Sequence, residues 1–200
     1  MIDHIRGQLA LKTPTYLRVE VNGIGYGVHI PLSTYDNLAK TGEKIELYTF
    51  LHVREDCLQL FGFKTAEEKE IFEMLVSVSG VGPRLALRIL SGLSVREFRE
   101  AIGQENLRLL TAIPGVGKKT AQRLVIELKE KIGIALAVEE TEKAAKTPEE
   151  ARLINDAVSA LLSLGCKPAE ATKAVKEAKI SLPDKGSSLE ELVKDALKHL

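Results

Sequence analysis

One pattern constrains this sequence more than any other, because it occurs twice. Thr111-Ala112-Ile113-Pro114-Gly115-Val116-Gly117-Lys118-Lys119-Thr120-Ala121-Gln122-Arg123-Leu124 has an echo thirty-five positions upstream, at Val76–Ile89. In each copy an apolar helix end runs into Gly-Val-Gly, and a second helical stretch follows. Gly80 aligns with Gly115, Gly82 with Gly117, Arg84 with Lys119 and Ala86 with Ala121. A Gly-apolar-Gly turn lets the backbone pass through conformations closed to a residue with a Cβ. It also leaves the first amides of the next helix without partners, at the positive end of the helix dipole, where an anion is favoured. Two such turns, each followed by cationic side chains, predict a helical core whose surface grips phosphates at two places.

The 200 residues carry 28 basic and 28 acidic side chains, so the chain as a whole has no cationic excess. Residues 1–63 hold 6 Lys/Arg and 7 Asp/Glu, 64–133 hold 12 and 9, and 134–200 hold 10 and 12. Only the middle segment is cationic, and it contains both turns, so a nucleic-acid footprint would be local. Cys57 and Cys166 are far apart and in no ligand-like spacing, which predicts free thiols in a reducing compartment and no metal site. The start lacks the features of a signal peptide, and no apolar run approaches the ~18 residues of a membrane span. A cytoplasmic protein is expected.

Residues 1–63 read as β, with strands predicted at Gly7–Lys12, Tyr16–Val21, Tyr26–Ile30, Lys44–Val53 and Cys57–Phe63. Leu17, Val19 and Val21 alternate with Arg18 and Glu20, and Ile45, Leu47, Thr49 and Leu51 with Glu46, Tyr48, Phe50 and His52. Asn22-Gly23 is a tight-turn signal. Five strands and one short helix fit a small Greek-key barrel of the oligonucleotide-binding (OB) type, or another small β-barrel. Arg54-Glu55-Asp56 forms a polar tip between the last two strands. At Thr65 the period changes from 2 to 3.6. Thr65–Glu68 and Ser94–Glu97 have the form of capping boxes, and about five helices should pack as two helix–hairpin–helix units over 64–133. Residues 134–147, rich in Ala, Glu and Lys, read as a flexible linker, with a frayed solvated helix as the alternative. Residues 148–200 read as a three-helix bundle that buries Ile154, Ala157, Val158 and Leu161. The fold class is therefore α+β and multidomain.

Gly115–Thr120 also invites a nucleotide-loop reading, which fails. A P-loop ending in Lys119-Thr120 requires Gly at 118 and 113, which hold Lys118 and Ile113. A DNA glycosylase of the helix–hairpin–helix class would use Lys119 as its amine and needs a partner Asp downstream. No Asp lies between Asp56 and Asp156, and the nearby Glu139 and Glu140 fall in the segment read as linker. Amine and carboxylate are therefore not expected to be held in mutual reach, and a glycosylase stays only the enzyme alternative. The remaining reading is phosphate binding without catalysis. Main-chain amides of Gly80, Val81, Gly82, Pro83 and Arg84 (Pro83 lacking an N–H), and of Gly115, Val116, Gly117, Lys118 and Lys119, line the two turns, with the side chains of Arg84, Lys118, Lys119 and Arg123 adding charge. Such contacts are independent of base sequence and sensitive to salt.

Taken in order, Asn22–Tyr26, His52–Asp56, Leu60–Phe63, Ser79–Pro83 and Ile113–Leu124 resemble the RuvA family, the junction-binding subunit of the bacterial branch-migration complex. The resemblance runs the length of the chain. It implies a homotetramer, single or as two facing tetramers, that holds a four-way DNA junction open without a cofactor. Glu55 and Asp56 match the acidic pin that projects near the crossover. The last module matches the UBA-like bundle that holds the RuvB AAA+ ATPase, with Leu161, Leu164 and Cys166 at motor-facing positions. Cys166 stands where an aromatic is expected. The RuvC resolvase is a further partner implied by the family. A general helix–hairpin–helix repair scaffold is the alternative reading.

Overall fold

The computed structural model describes residues 2–144, 147–166, 168–181 and 188–199. The chain forms two compact units, Met1–Glu127 and Leu128–Leu200.

The first unit opens with a closed barrel built from β1 (His4–Thr13), β2 (Tyr16–Val21), β3 (Ile24–His29), β4 (Lys44–Arg54) and β5 (Cys57–Phe63), in the order β1-β2-β3-β5-β4. This is the expected OB-like architecture. β1 begins three residues before the expected Gly7 and pairs with both β2 and β4, shifting register between Leu9 and Leu11. Asn22 and Gly23 both have positive φ, 49° and 83°, which is the conformation of a two-residue hairpin turn whose twist matches its strands. Leu17, Val19, Ile45 and Leu47 point inward as the alternation requires. Thr49 occupies an inward position despite its hydroxyl, which donates to the carbonyl of Ile2 at 2.8 Å. Closure between β3 and β5 is parallel and short, involving Val28 with Leu60 and His29 with Phe61.

Helix α1 (Leu32–Asp36) lies between β3 and β4. α2 (Ala66–Ser77), α3 (Pro83–Gly92), α4 (Val95–Gly103), α5 (Leu107–Thr111) and the start of α6 (Lys118–Ala144) complete the unit. The barrel and helices share a core. Phe72 of α2 packs its ring against Phe50, Phe61 and Phe63 at 5.4, 5.1 and 4.8 Å between centroids. Thr65 caps α2 by accepting from the Glu68 amide at 3.2 Å. The Glu68 carboxylate, however, does not return to Thr65 as a capping box requires. It is buried and accepts from Ser33 Oγ, Thr34 Oγ1 and the Lys64 amide at 2.6, 2.7 and 3.0 Å. Ser94 and Glu97 form the complete box at the start of α4.

The second unit contains α7 (Pro148–Ser163), α8 (Pro168–Ser181), α9 (Leu189–Ala196) and a closing 3-10 turn, Leu197–His199. Thr147 caps α7, and Gly165 leaves it with φ +88°. Small residues Ala157, Ala171, Ala174 and Ala178 let the helices approach, while Ile154, Val158, Val175 and Leu192 fill the centre. Two expectations are corrected. Helix α6 does not stop at Gly133 but runs to Ala144, so most of the segment read as linker is helical. Ala, Leu, Glu and Lys have low helix costs, and one interior Gly costs only ~1 kcal/mol. Residues 145–146 of that segment lie outside the described residues. The second correction is Leu161, which is 0% exposed within the bundle core and so presents no surface to a partner.

Candidate nucleic-acid interface

The two turns have the same construction. At the first, the Val81 amide donates to the carbonyl of Val78 at 3.0 Å. At the second, Val116 donates to Ile113 at 3.0 Å. All four of these apolar side chains are buried and anchor the turns from beneath. Gly80 and Gly115 have φ of +87° and +95°, so the backbone itself requires glycine there. Gly82 and Gly117 are different. Neither has positive φ, and a Cβ placed on either would meet nothing within 4 Å. The fold leaves room for a side chain at these two exposed positions, and the sequence supplies none. Gly82 is the N-cap of α3 and offers no side-chain acceptor; Pro83 has no N–H to satisfy, and the Leu85 amide already donates to the Gly82 carbonyl at 3.0 Å.

Arg84, Lys118 and Lys119 are exposed around these turns, and none has an ion-pair partner among the described residues. Arg123 is held differently. Its Nη1 donates to the carbonyl of Ser79 at 2.8 Å, and its Nε lies 3.9 Å from Glu127. It therefore braces the first turn from the helix that follows the second. Arg88 has the mirrored position. Its Nη1 lies 3.2 Å from where a Cβ on Gly115 would sit. Local sequence patterns do not single out Arg88, because a polar helix residue is ordinarily solvated. The repeat offset that aligns Gly80 with Gly115 also aligns Arg88 with Arg123, and that is the one signal the sequence carries for it.

The barrel contributes the neighbouring surface. The Leu32 amide donates to Ser91 Oγ at 3.0 Å, tying the end of α3 to α1. His29, half-buried at the end of β3, has Tyr16 edge-on at 5.5 Å and Phe61 at 5.6 Å. Burial pushes its imidazole below the ordinary value, and the charge of Arg84 adds to that push.

Glu55 and Asp56 occupy the two-residue turn between β4 and β5, and both are exposed. Because β5 meets β3 only at Leu60 and Phe61, the ladder from Val53 to Leu58 has no third strand. The tip therefore extends past the barrel wall, with Val53 and Leu58 63% and 71% exposed. Arg54 Nε points to His52 Nε2 at 3.0 Å. In the second unit Leu164 is 64% exposed at the end of α7, and Cys166 is half-buried against the bundle core. Among the described residues there is no cluster of metal-ligating side chains and no helix long and apolar enough to cross a membrane.

Family models match in the same order as these elements. The "RuvA N terminal domain" covers residues 1–62, the "SAM-like Helix-hairpin-helix tandem" 72–130, and the "RuvA, C-terminal domain" 152–200. A protein of Pelobacter propionicus is 46% identical over 201 residues, covering 100% of this chain and 99% of its own length. One from Geobacter metallireducens is 44% identical over 200 residues, covering 100% and 99%. Another from Acetivibrio thermocellus is 41% identical over 203, covering 100% and 98%. Each of the three is named "Holliday junction branch migration complex subunit RuvA". Matched along its length by these relatives, the chain belongs to the RuvA family.

Proposed function

We propose that this protein binds four-way DNA junctions through their phosphates, without reading bases, and serves as the non-catalytic DNA-binding subunit of a branch-migration complex. The observation that carries this reading is the pair Gly82 and Gly117. At both, the fold has room for a side chain and the sequence provides none, beside the exposed cations Arg84, Lys118 and Lys119. A sugar–phosphate backbone approaching each turn accounts for that open space and for the charge of Arg84, Lys118 and Lys119. The names of the relatives supply the kind of DNA.

The modules divide the work. Residues 1–63 present Glu55 and Asp56, which repel phosphates and keep continuous duplex from the crossover when four copies surround it. Residues 64–133 grip the arms, and 148–200 hold a separate ATPase of the RuvB type, with exposed Leu164 and adjacent Cys166 at the contact. Because the chain offers no nucleotide loop, the energy for moving the arms comes from that ATPase. Competition of a labelled synthetic junction against linear duplex of equal length tests the reading, with native mass recorded on the same samples. Preferential retention of the junction by a multiple of four chains is expected. Equal competition by duplex would leave only a general repair scaffold.

A further inference from the structure

The helices that follow the two turns each carry an arginine at their sixth residue, Arg88 in α3 and Arg123 in α6. Each reaches the turn of the opposite repeat: Arg123 lies at Ser79 and Gly80, and Arg88 at Gly115. Their chemical circumstances then diverge. Arg123 gives a hydrogen bond to the Ser79 carbonyl and has Glu127 one helical turn beyond it. The residue equivalent to Glu127 in the first repeat is Gly92, which has no carboxylate to offer. Arg88 accordingly has neither hydrogen bond nor ion pair among the described residues, and it is exposed. Its Nη1 lies 3.2 Å from where a Cβ on Gly115 would sit, beside the glycine that begins the second turn and three residues before α6 starts at Lys118. A planar fork of N–H donors there matches two phosphate oxygens at once, which an ammonium cannot do.

We infer that Arg88 is a further phosphate-binding residue of the second turn, supplied by the helix of the first repeat. The inference rests on the reading of both turns as phosphate clamps. One clamp is then a composite of the two repeats, while Arg123 fixes the geometry of the other. The two arginines are related by the repeat but act differently. Arg88 contributes free charge, and Arg123 positions backbone.

The test uses the full chain and a synthetic four-way junction, with affinity followed by fluorescence anisotropy from low to moderate salt. Arg88→Met keeps the aliphatic stem and removes the charge, and thermal unfolding of the variant verifies that the fold is retained. With each neutralised phosphate contributing ~0.9 to the log–log salt slope, Arg88→Met should flatten the slope by about that amount. Arg88→Lys should restore the slope and leave a weaker complex, because the bidentate fork is lost. Lys118→Ala is measured alongside. A flattened slope for Lys118→Ala with none for Arg88→Met would overturn the role of Arg88 and leave the clamps standing. An unchanged slope in both would bring down the clamps as well. Weaker binding by Arg88→Met at an unchanged slope would also overturn the proposal, since the side chain would then only pack against the turn.

Discussion

Thr34 of α1 donates its hydroxyl to Oε2 of Glu68 at 2.7 Å, and so joins the segment between β3 and β4 to α2. The same hydroxyl accepts from the Lys64 amide at 3.1 Å, where β5 gives way to α2. The start of the helices is thereby fixed to the barrel by a buried carboxylate that has donors around it. Replacing Glu68 by Ala removes the acceptor for Ser33 and Thr34, and orphaned buried donors cost ~1–3 kcal/mol each. We expect Glu68→Ala to lower the unfolding free energy by roughly 2–3 kcal/mol in urea. Glu68→Gln, which retains a carbonyl oxygen, should lose less.

Gly115 and Gly117 separate a folding requirement from a binding requirement. Gly115→Ala must hold φ near +95° and push against Arg88 and Leu85, which should cost about 1–3 kcal/mol of stability. Gly117→Ala is free of both difficulties and should change stability by less than ~1 kcal/mol, in the stabilising direction if at all. If the turn is the phosphate clamp proposed above, its methyl group would nevertheless stand in the path of the DNA backbone, so junction affinity should fall at least tenfold, on the order of the 1.4 kcal/mol that this represents. Wild-type affinity in a stably folded Gly117→Ala would count against close approach at this turn.

Neutralising the tip, Glu55→Gln with Asp56→Asn, should raise affinity for plain duplex several-fold at low salt while junction affinity changes little. The gain should shrink as salt is added, because exposed charges are screened beyond about 8–10 Å near physiological ionic strength. Equilibrium binding of both DNAs at two salt concentrations measures it. A duplex-to-junction ratio that stays at the wild-type value would exclude a discriminating role for these acids.

His29 gives the barrel a dependence on mild acid. Its folded pKa lies below the ordinary 6.5, chiefly through burial and secondarily through Arg84. The unfolded chain therefore takes up the proton first as pH falls. The stability associated with neutral His29 is fully present above 6.5 and is lost as pH drops through the folded value. Asp3, lowered mainly by its bond to Lys69, and Glu97, lowered by Ser94, lose their contributions only in the more acidic carboxylate range. Urea unfolding at successive pH values between about 7 and 5 should show the decline, and His29→Phe should flatten it. In Arg84→Ala, the His29 imidazole should titrate closer to 6.5 without reaching it, since burial remains.

Leu161 and Leu164 are one helical turn apart and should respond oppositely. Leu161→Ala opens a cavity in the small bundle and should cost ~2–5 kcal/mol, enough to unfold a module of this size. Leu164→Asp should leave helicity and thermal unfolding unchanged, while reducing stimulation of the partner ATPase at least several-fold. Full stimulation by Leu164→Asp would remove that residue from the motor contact.

The strands and the paired turns are legible in the sequence because they rest on local rules. Alternation sets the inward face at Leu17 and Leu47, and positive φ calls for glycine at Gly80 and Gly115. What escapes sequence reasoning depends on neighbours distant along the chain. Glu68 has the spacing of a capping box, yet its carboxylate answers Ser33 and Thr34, which no local pattern reveals. Arg88 resembles any solvated helix residue until the opposite turn is brought beside it. Leu161 fits two readings, core stripe and partner surface, and only packing against α8 and α9 decides between them. Gly133 looks like a helix end by residue type, although propensity summed over its Ala- and Glu-rich surroundings outweighs one glycine.

The projecting β4–β5 arm carries one more consequence. A closed barrel offers no exposed ladder to another chain, but the arm beyond Leu60 escapes closure and leaves main-chain donors and acceptors uncovered along both of its sides. Apolar Val53 and Leu58 lie on that same stretch, a combination that invites strand addition and aggregation. The arm is only a few residues long and ends in Arg54, Glu55 and Asp56, whose charges resist desolvation by an incoming strand. Removing the acids therefore tests solubility as well as recognition: the neutralised tip should self-associate at concentrations where the native chain does not.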